Sequence, residues 1–360
     1  NTIERRHGKK LNAYNLPIDD KKTYKGFLSE KLFGVFQFDG QAVTQVCRQI
    51  KPKDFEALSA ISALARPGPL NSGNTTEYIL RRSGKREVRY VHPIMESITK
   101  DSYGIVIYQE QVMRIMREIG KMSWEDTANI RKIISRSQGV EKFNSFRDKF
   151  IPGALENGLS EQTANKIWDE MCAYGAWSFN KSHSVSYGMI SFATMWLKVH
   201  YPIEFYEAIL SLTDKEDKRK KILKEYKREG FKVLSVDINK SDISFSIEKE
   251  GLRIGFSDIK GIGGQASLTL KKNQPYSSFF DFLKKTEKKR ISESLWQKLV
   301  NLEAFDSIED TSKELTLFEE MITPYFKKKL TFEEHFLICP WDVDFGIDKA
   351  AWQEIGLLAV

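Results

Sequence analysis

Apolar positions recur at helical spacing through most of the chain and give way to short alternating runs behind Gly230. Residues 1–30 are polar, with "NLPIDDKKTYKGFL" reading as a loop followed by a short helix. "GVFQFDGQAVTQVCRQI" opens with alternation and then places Val43, Val46, Cys47 and Ile50 on one helical face. "KPKDFEALSAISALA" predicts a second helix, with Pro52 near its start and Phe55, Leu58, Ile61 and Leu64 on the buried side. In "RPGPLNSGN" two prolines and two glycines fall within eight residues, which predicts a stiff loop.

From Tyr108 to Leu212 the pattern is mostly helical. Val112, Ile115, Met116 and Ile119 form one stripe that ends at Gly120. Ser123 is placed as an N-cap with Asp126 at the capping-box position, and Ser160 opens a similar helix. The Met, Trp and Phe stripe behind Tyr187 reads as core. After the heavily charged "TDKEDKRKKILKEYKREG" come three short strand patterns, "FKVLSVDIN", "SFSIEKEG" and "LRIGFSDI", the last two joined at Gly251. "IKGIGGQASLTLKK", "SSFFDFLKK" and "ISESLWQKLVNLEAF" follow, and the last forty residues give no clear pattern. The fold class expected is mainly α with a small β component (α+β).

The totals narrow the classes. At 360 residues, 41% hydrophobic and 29% charged, the chain reads as folded and long enough for about two domains. No run approaches the roughly 18 apolar residues of a membrane span. The polar start "NTIERRHGKK" lacks a signal-peptide core and an initiator methionine, so the chain reads as a piece of something longer. Cys47, Cys172 and Cys339 share no metal-like spacing, which suits a reducing, cytoplasmic setting. A formal charge of +7 and a pI near 9.0 suit a polyanionic partner, although a merely soluble basic protein would also show them.

Four segments concentrate candidate chemistry. "KGIGG" has the form of a helix-hairpin-helix turn, which offers backbone N–H groups and a helix N-terminus to a phosphate. Gly261 and Gly263 keep the approach clear, Gly264 follows, Ile259 and Ile262 anchor the turn, and Lys260, Lys271 and Lys272 flank it. The other reading is an ordinary glycine turn between strand and helix. "IRKIISRSQ" carries Arg131, Lys132 and Arg136, the last two four apart on one face, which suits a triphosphate or a strand backbone as well as a solvated surface. "ARPGPLNSG" sets Arg66 at a helix end, and a structural turn is its default reading. "SFNKSHSVSY" packs Lys181, His183, an asparagine, a tyrosine and four serines into ten positions, and His183 alone would read as a core histidine.

Taken together, "GVFQFDG", "LARPGPLNSG", "YGIVIYQEQVM", "FNKSHSVSY", "WLKVHYPIEF" and "IKGIGG" resemble the fingers region of the bacterial family C replicative DNA polymerase, the alpha subunit of DNA polymerase III. The resemblance covers about 290 residues, from "NLPIDD" to "LEAFDSI". It implies a lead-in from the palm side over 1–30, a fingers domain over 31–212, and a charged helix with short strands over 213–257. A helix-hairpin-helix DNA-binding domain over 258–325 and an unassigned segment over 326–360 would complete the chain.

By the same resemblance Arg66, Arg131, Lys132, Arg136, Lys181 and His183 meet the triphosphate of an incoming dNTP, and Lys260, Gly261, Gly263, Gly264, Lys271 and Lys272 meet template-primer DNA. The chain departs from the family in having "SRSQ" where a lysine run is usual, and "SVSY" where alanines are usual. The family's magnesium-binding aspartates lie in a palm expected outside this chain, as does its phosphoesterase-like domain. Mg2+ and a palm-containing polypeptide are therefore expected partners, and no catalytic or metal residue is assigned here. Asp342 and Asp344 in "CPWDVDFG" read as a loop or strand end. "ELTLF", Glu314 to Phe318, is similar to a sliding-clamp docking peptide and equally to an amphipathic helix. The alternative function is a stand-alone DNA-binding or regulatory protein derived from a polymerase. The origin is expected to be bacterial or phage.

Overall fold

A computed structural model of the chain describes residues 2–29, 31–136, 139–175, 179–286 and 292–308. The chain divides into two compact units, Asn1–Phe205 and Tyr206–Val360. Among the described residues of both, helix predominates over strand, as the periodicity predicts. Among the described residues no helix is long and apolar enough to cross a membrane.

In the first unit the helix Phe55–Leu64 is buried along its length from Ala57 onward. "ALSAISAL" has small or apolar side chains all round, so it suits the middle of a helical layer and not its surface. Asp54 starts this central helix. Its carboxylate accepts from the Ala57 N–H at 2.8 Å and from Arg82 Nη2 at 2.9 Å. The longest helix, Lys181–His200, packs on the central helix and on Lys21–Leu28. At the second crossing the backbones come close because of Gly26, where an added Cβ would lie 2.6 Å from Met195 Sδ. Tyr24, Phe27, Phe38 and Phe192 fill the core between these helices. A second core holds Ile115, Met116, Phe150 and Trp168, whose indole Nε1 donates to Asn144 at 2.8 Å.

The caps expected at Ser123 and Ser160 form, with Ser123 Oγ accepting from Asp126 N at 3.0 Å and Ser160 Oγ from Thr163 N at 3.2 Å. "RPGP" departs from the expectation. It opens a short helix, Pro67–Asn71, with Arg66 at its N-cap. A proline in a helix's first turn removes only an N–H that has no partner there anyway, so Pro67 starts this helix where mid-helix it would break one. The polar lead-in likewise contains a short helix, Thr2–His7.

The second unit carries a small sheet of order β1-β3-β2, formed by Val233–Leu234 (β1), Ser246–Ile247 (β2) and Leu252–Arg253 (β3). β2 and β3 are antiparallel around the Gly251 turn, with Ile247 opposite Leu252. β1 runs parallel to β3. Ile238, Phe256, Leu270, Tyr276, Phe282, Leu299 and Phe305 make up much of its core.

Asp54 allows a test of the central helix. Burial raises its pKa, but the Ala57 N–H and Arg82 outweigh that and hold the carboxyl below its usual value. A depressed carboxyl contributes stability above the unfolded-state value and loses it as pH falls through the folded-state value, here below about pH 4. Asp54→Ala is expected to lower stability by about 1–2 kcal/mol at neutral pH. Asp54→Asn, which keeps a capping oxygen, should lose less and flatten the acid limb, as urea titrations across pH would show.

Candidate functional site

Three of the four segments that sequence singled out gather around one backbone junction in the first unit. Tyr108 and Phe179 form an isolated parallel bridge. The Phe179 N–H donates to the Ile107 carbonyl at 3.0 Å, and the Gln109 N–H donates to the Phe179 carbonyl at 2.9 Å. The Arg66 guanidinium lies 4.1 Å above the Phe179 ring, and its Nε donates to the Ser62 carbonyl at 3.2 Å. An exposed arginine is thereby held over an aromatic face.

Lys181 is the first residue of the longest helix, so this stretch is a capped helix start and not a loop. Asn180 caps it, with Oδ1 accepting from His183 N at 2.8 Å. The Lys181 N–H donates to Glu110 Oε2 at 2.9 Å. Its ammonium lies 5.6 Å from the Tyr108 ring centre and 4.0 Å from Asp101 Oδ2. His183 is half-buried, edge-on to Phe179 at 5.3 Å and against Tyr187 at 3.7 Å between ring centres. Below it Ser184 Oγ donates to the Ser59 carbonyl at 2.6 Å. The buried Tyr108 phenol bonds to the Ser59 and Ser184 hydroxyls, and burial pushes its pKa up to about 12. Tyr108 is therefore neutral at physiological pH.

Arg131, Lys132 and Arg136 belong to or cap the helix Trp124–Ser135, and all three are exposed. None forms an ion pair with a described residue. Ser135 Oγ of this helix lies 3.4 Å from Gln109 Oε1, which ties its last turn to the same junction. Arg131 stands four residues before Ser135 and so on the same face. The geometry groups Arg66, Lys181 and His183 directly around Phe179, and attaches the Arg131 helix through Gln109.

In the second unit the glycine hairpin follows a single 3-10 turn, Phe256–Asp258, in place of a full first helix. The Ile262 N–H closes the turn on the Ile259 carbonyl at 3.0 Å. Gly261 has φ +88°, a conformation that side chains disfavour. Gly263 caps the hairpin helix, Gly264–Lys272, and neither Gly263 nor Gly264 would meet any atom within 4 Å if it carried a Cβ. Both glycines are exposed, and the first N–H groups of any helix have no partner within it. Lys298, which no local pattern marked, donates from Nζ to the Lys260 carbonyl at 3.0 Å and braces the turn. Lys271 and Lys272 sit at the other end of the hairpin helix, about 12 Å along its axis. Lys271 pairs there with Asp242 at 3.4 Å. The hairpin and this lysine pair are thus separate features.

Among the described residues no group of three or more His, Cys, Asp or Glu side chains could hold a metal ion. Asp342, Asp344 and the 314–318 stretch lie outside the described residues.

Residues 1–158 match the family described as the bacterial DNA polymerase III alpha subunit finger domain, and residues 230–315 match a helix-hairpin-helix motif. The chain is homologous to the finger and helix-hairpin-helix portion of DNA polymerase III alpha subunits. It is 37% identical to DNA polymerase III subunit alpha of Aquifex aeolicus over 318 residues, 87% of this chain and 27% of that protein. The Halalkalibacterium halodurans subunit is 31% identical over 88% of this chain and 29% of its own length. The Staphylococcus epidermidis subunit is 34% identical over 82% of this chain and 28% of its own length. The chain thus spans just over a quarter of the length of these relatives.

In this helix-hairpin-helix segment, Gly261 and Gly264 are predicted to respond differently to an added methyl group. Gly264→Ala should raise stability by up to about 1 kcal/mol through helix propensity and, if the turn binds phosphate, weaken DNA binding. Gly261→Ala should lose about 1–2 kcal/mol because of its positive φ. Thermal melts and duplex-binding titrations would separate the two. Tighter DNA binding by Gly264→Ala would contradict the open-approach reading.

Proposed function

We propose that this chain supplies nucleotide and DNA binding to a replicative DNA-directed DNA polymerase. The observation that carries the proposal is the convergence on Phe179. Arg66 stacks on its ring, Lys181 begins a helix two residues later, and the Arg131 helix is tied to Gln109 opposite. Cations on three rigid elements suit a triphosphate, whose negative charge builds up on the departing pyrophosphate during nucleotidyl transfer. The ends of the Trp124–Ser135 and Lys181–His200 helices divide the work. The first offers exposed arginine and lysine, and the second a lysine beside a helix N-terminus. His183 contributes a ring packed between two others, which suits positioning more than proton transfer.

The magnesium ions of such chemistry would be held by carboxylates outside the described residues, in a palm-bearing polypeptide or another part of a longer one. The glycine hairpin would hold template-primer DNA by its backbone without reading sequence. Docking on a sliding clamp through Glu314 to Phe318 belongs to the same reading. The assignment to a cytoplasmic replication machine follows from the family alone.

The test is primer extension by this chain together with a palm-bearing polypeptide of the family. Lys181→Ala and Arg131→Ala are each expected to slow nucleotide incorporation about 10- to 100-fold, as removal of one charge-assisted bond to phosphate would, with little change in DNA affinity. Wild-type incorporation by both variants would sink the triphosphate assignment. Retained, salt-sensitive DNA binding in that case would favour the stand-alone DNA-binding role.

A further inference from the structure

We infer that the charged helix Glu216–Arg228 is a second duplex-backbone-binding element, joined to the glycine hairpin through the carboxylate of Glu216. This rests on the hairpin being a phosphate-binding turn. The helix buries Ile222, Glu225 and Tyr226 and exposes Lys220, Lys221, Lys224, Lys227 and Arg228. Lys220, Lys224 and Lys227 are spaced by four and three, as are Lys221, Lys224 and Arg228 by three and four, so the five share an arc of about 120° opposite the buried residues. Like charges at such spacing repel and weaken a bare helix, and a polyanion laid along them reverses the sign of that interaction.

The face is held in place, not on a loose arm. Arg219, on the inner side, is ion-paired to Asp258 in the turn just before the hairpin. Asp258 also accepts from the Gly255 N–H at 3.1 Å. Glu216 joins the two basic features directly: Oε1 lies 2.7 Å from Lys220 Nζ, and Oε2 lies 3.6 Å from Lys260 Nζ. The edge of the cationic face and the tip of the hairpin therefore share one carboxylate.

From Lys220 to Arg228 the helix rises about 12 Å. A duplex of that length presents about seven phosphate charges. Sites for single strands interleave cations with stacking aromatic rings, and this face carries none, since Tyr226 points inward. Charge complementarity and continuity with the hairpin thus favour duplex DNA as the occupant.

Fluorescence anisotropy with a labelled duplex of about 20 base pairs and the matching single strand, across a salt series, tests this on the full chain. Lys220→Gln/Lys221→Gln/Lys224→Gln is expected to weaken duplex binding about tenfold at low salt and to reduce the salt slope by about two to three, near 0.9 for each phosphate no longer neutralised. Glu216→Gln releases Lys220 and Lys260 from their shared partner and should tighten binding two- to threefold, an outcome that misfolding could not imitate. Gly263→Glu, which puts a carboxylate in the hairpin's approach, reports on the hairpin alone. If it loses binding while the triple variant keeps wild-type affinity and slope, the helix is no binding element and the hairpin reading survives. If the wild-type chain does not bind the duplex, the hairpin reading fails and takes this inference with it. Equal losses on duplex and single strand would overturn the choice of duplex.

Discussion

The arrangement around Phe179 depends on two backbone hydrogen bonds between that residue and the 107–109 segment. They are few, but they sit over a buried hydroxyl cluster that fixes both sides. Tyr108 reaches Ser59 on the central helix and Ser184 on the longest helix. Ser184 in turn donates to the Ser59 carbonyl. Each of these groups is buried, so breaking one bond would leave a polar atom unpaired at about 1–3 kcal/mol. That penalty keeps the 108 segment, the central helix and the start of the longest helix in register, and Arg66 inherits its position from the same arrangement. A neutral tyrosine suits this place, because burial disfavours the ionised phenol by more than the two serine hydroxyls favour it.

The hairpin of the second unit solves a different problem, which is to leave backbone N–H groups uncovered without losing the turn. Gly261 provides the left-handed residue, and Lys298 satisfies the Lys260 carbonyl from a distant helix. Gly263 and Gly264 then have no steric duty in the fold, since a Cβ at either would meet nothing. Their lack of side chains matters only to something that approaches from outside.

Much of this was legible in sequence. Helical periodicity located the main helices, Ser123 and Ser160 signalled their caps, and Gly251 marked the β2–β3 hairpin. The partners of these elements were not legible. A parallel bridge between Tyr108 and Phe179 leaves no local trace, because each strand-like segment is a single residue long. Lys298 braces the hairpin from a helix in which it is one more polar position. The "RPGP" segment misled because proline reads as a helix breaker by composition, whereas its effect depends on which turn it occupies. The distance of Lys271 and Lys272 from the turn was also not legible: near the glycines in sequence, they lie a helix length away.

The charges around Lys181 argue that the site is tuned and not simply cationic. Arg66 is planar, delocalised and stacked, and suits a fixed position. Lys181 is a point charge on a flexible stem, set between the Tyr108 face and Asp101, while Glu110 already accepts its backbone N–H. On the proposed reading, an arriving anion must compete with two carboxylates for that helix start. A singly charged anion would gain little by the exchange. A triphosphate, reaching Arg66 and the Arg131 helix at the same time, would make bonds that neither carboxylate can make, so the acids would raise selectivity at some expense in affinity.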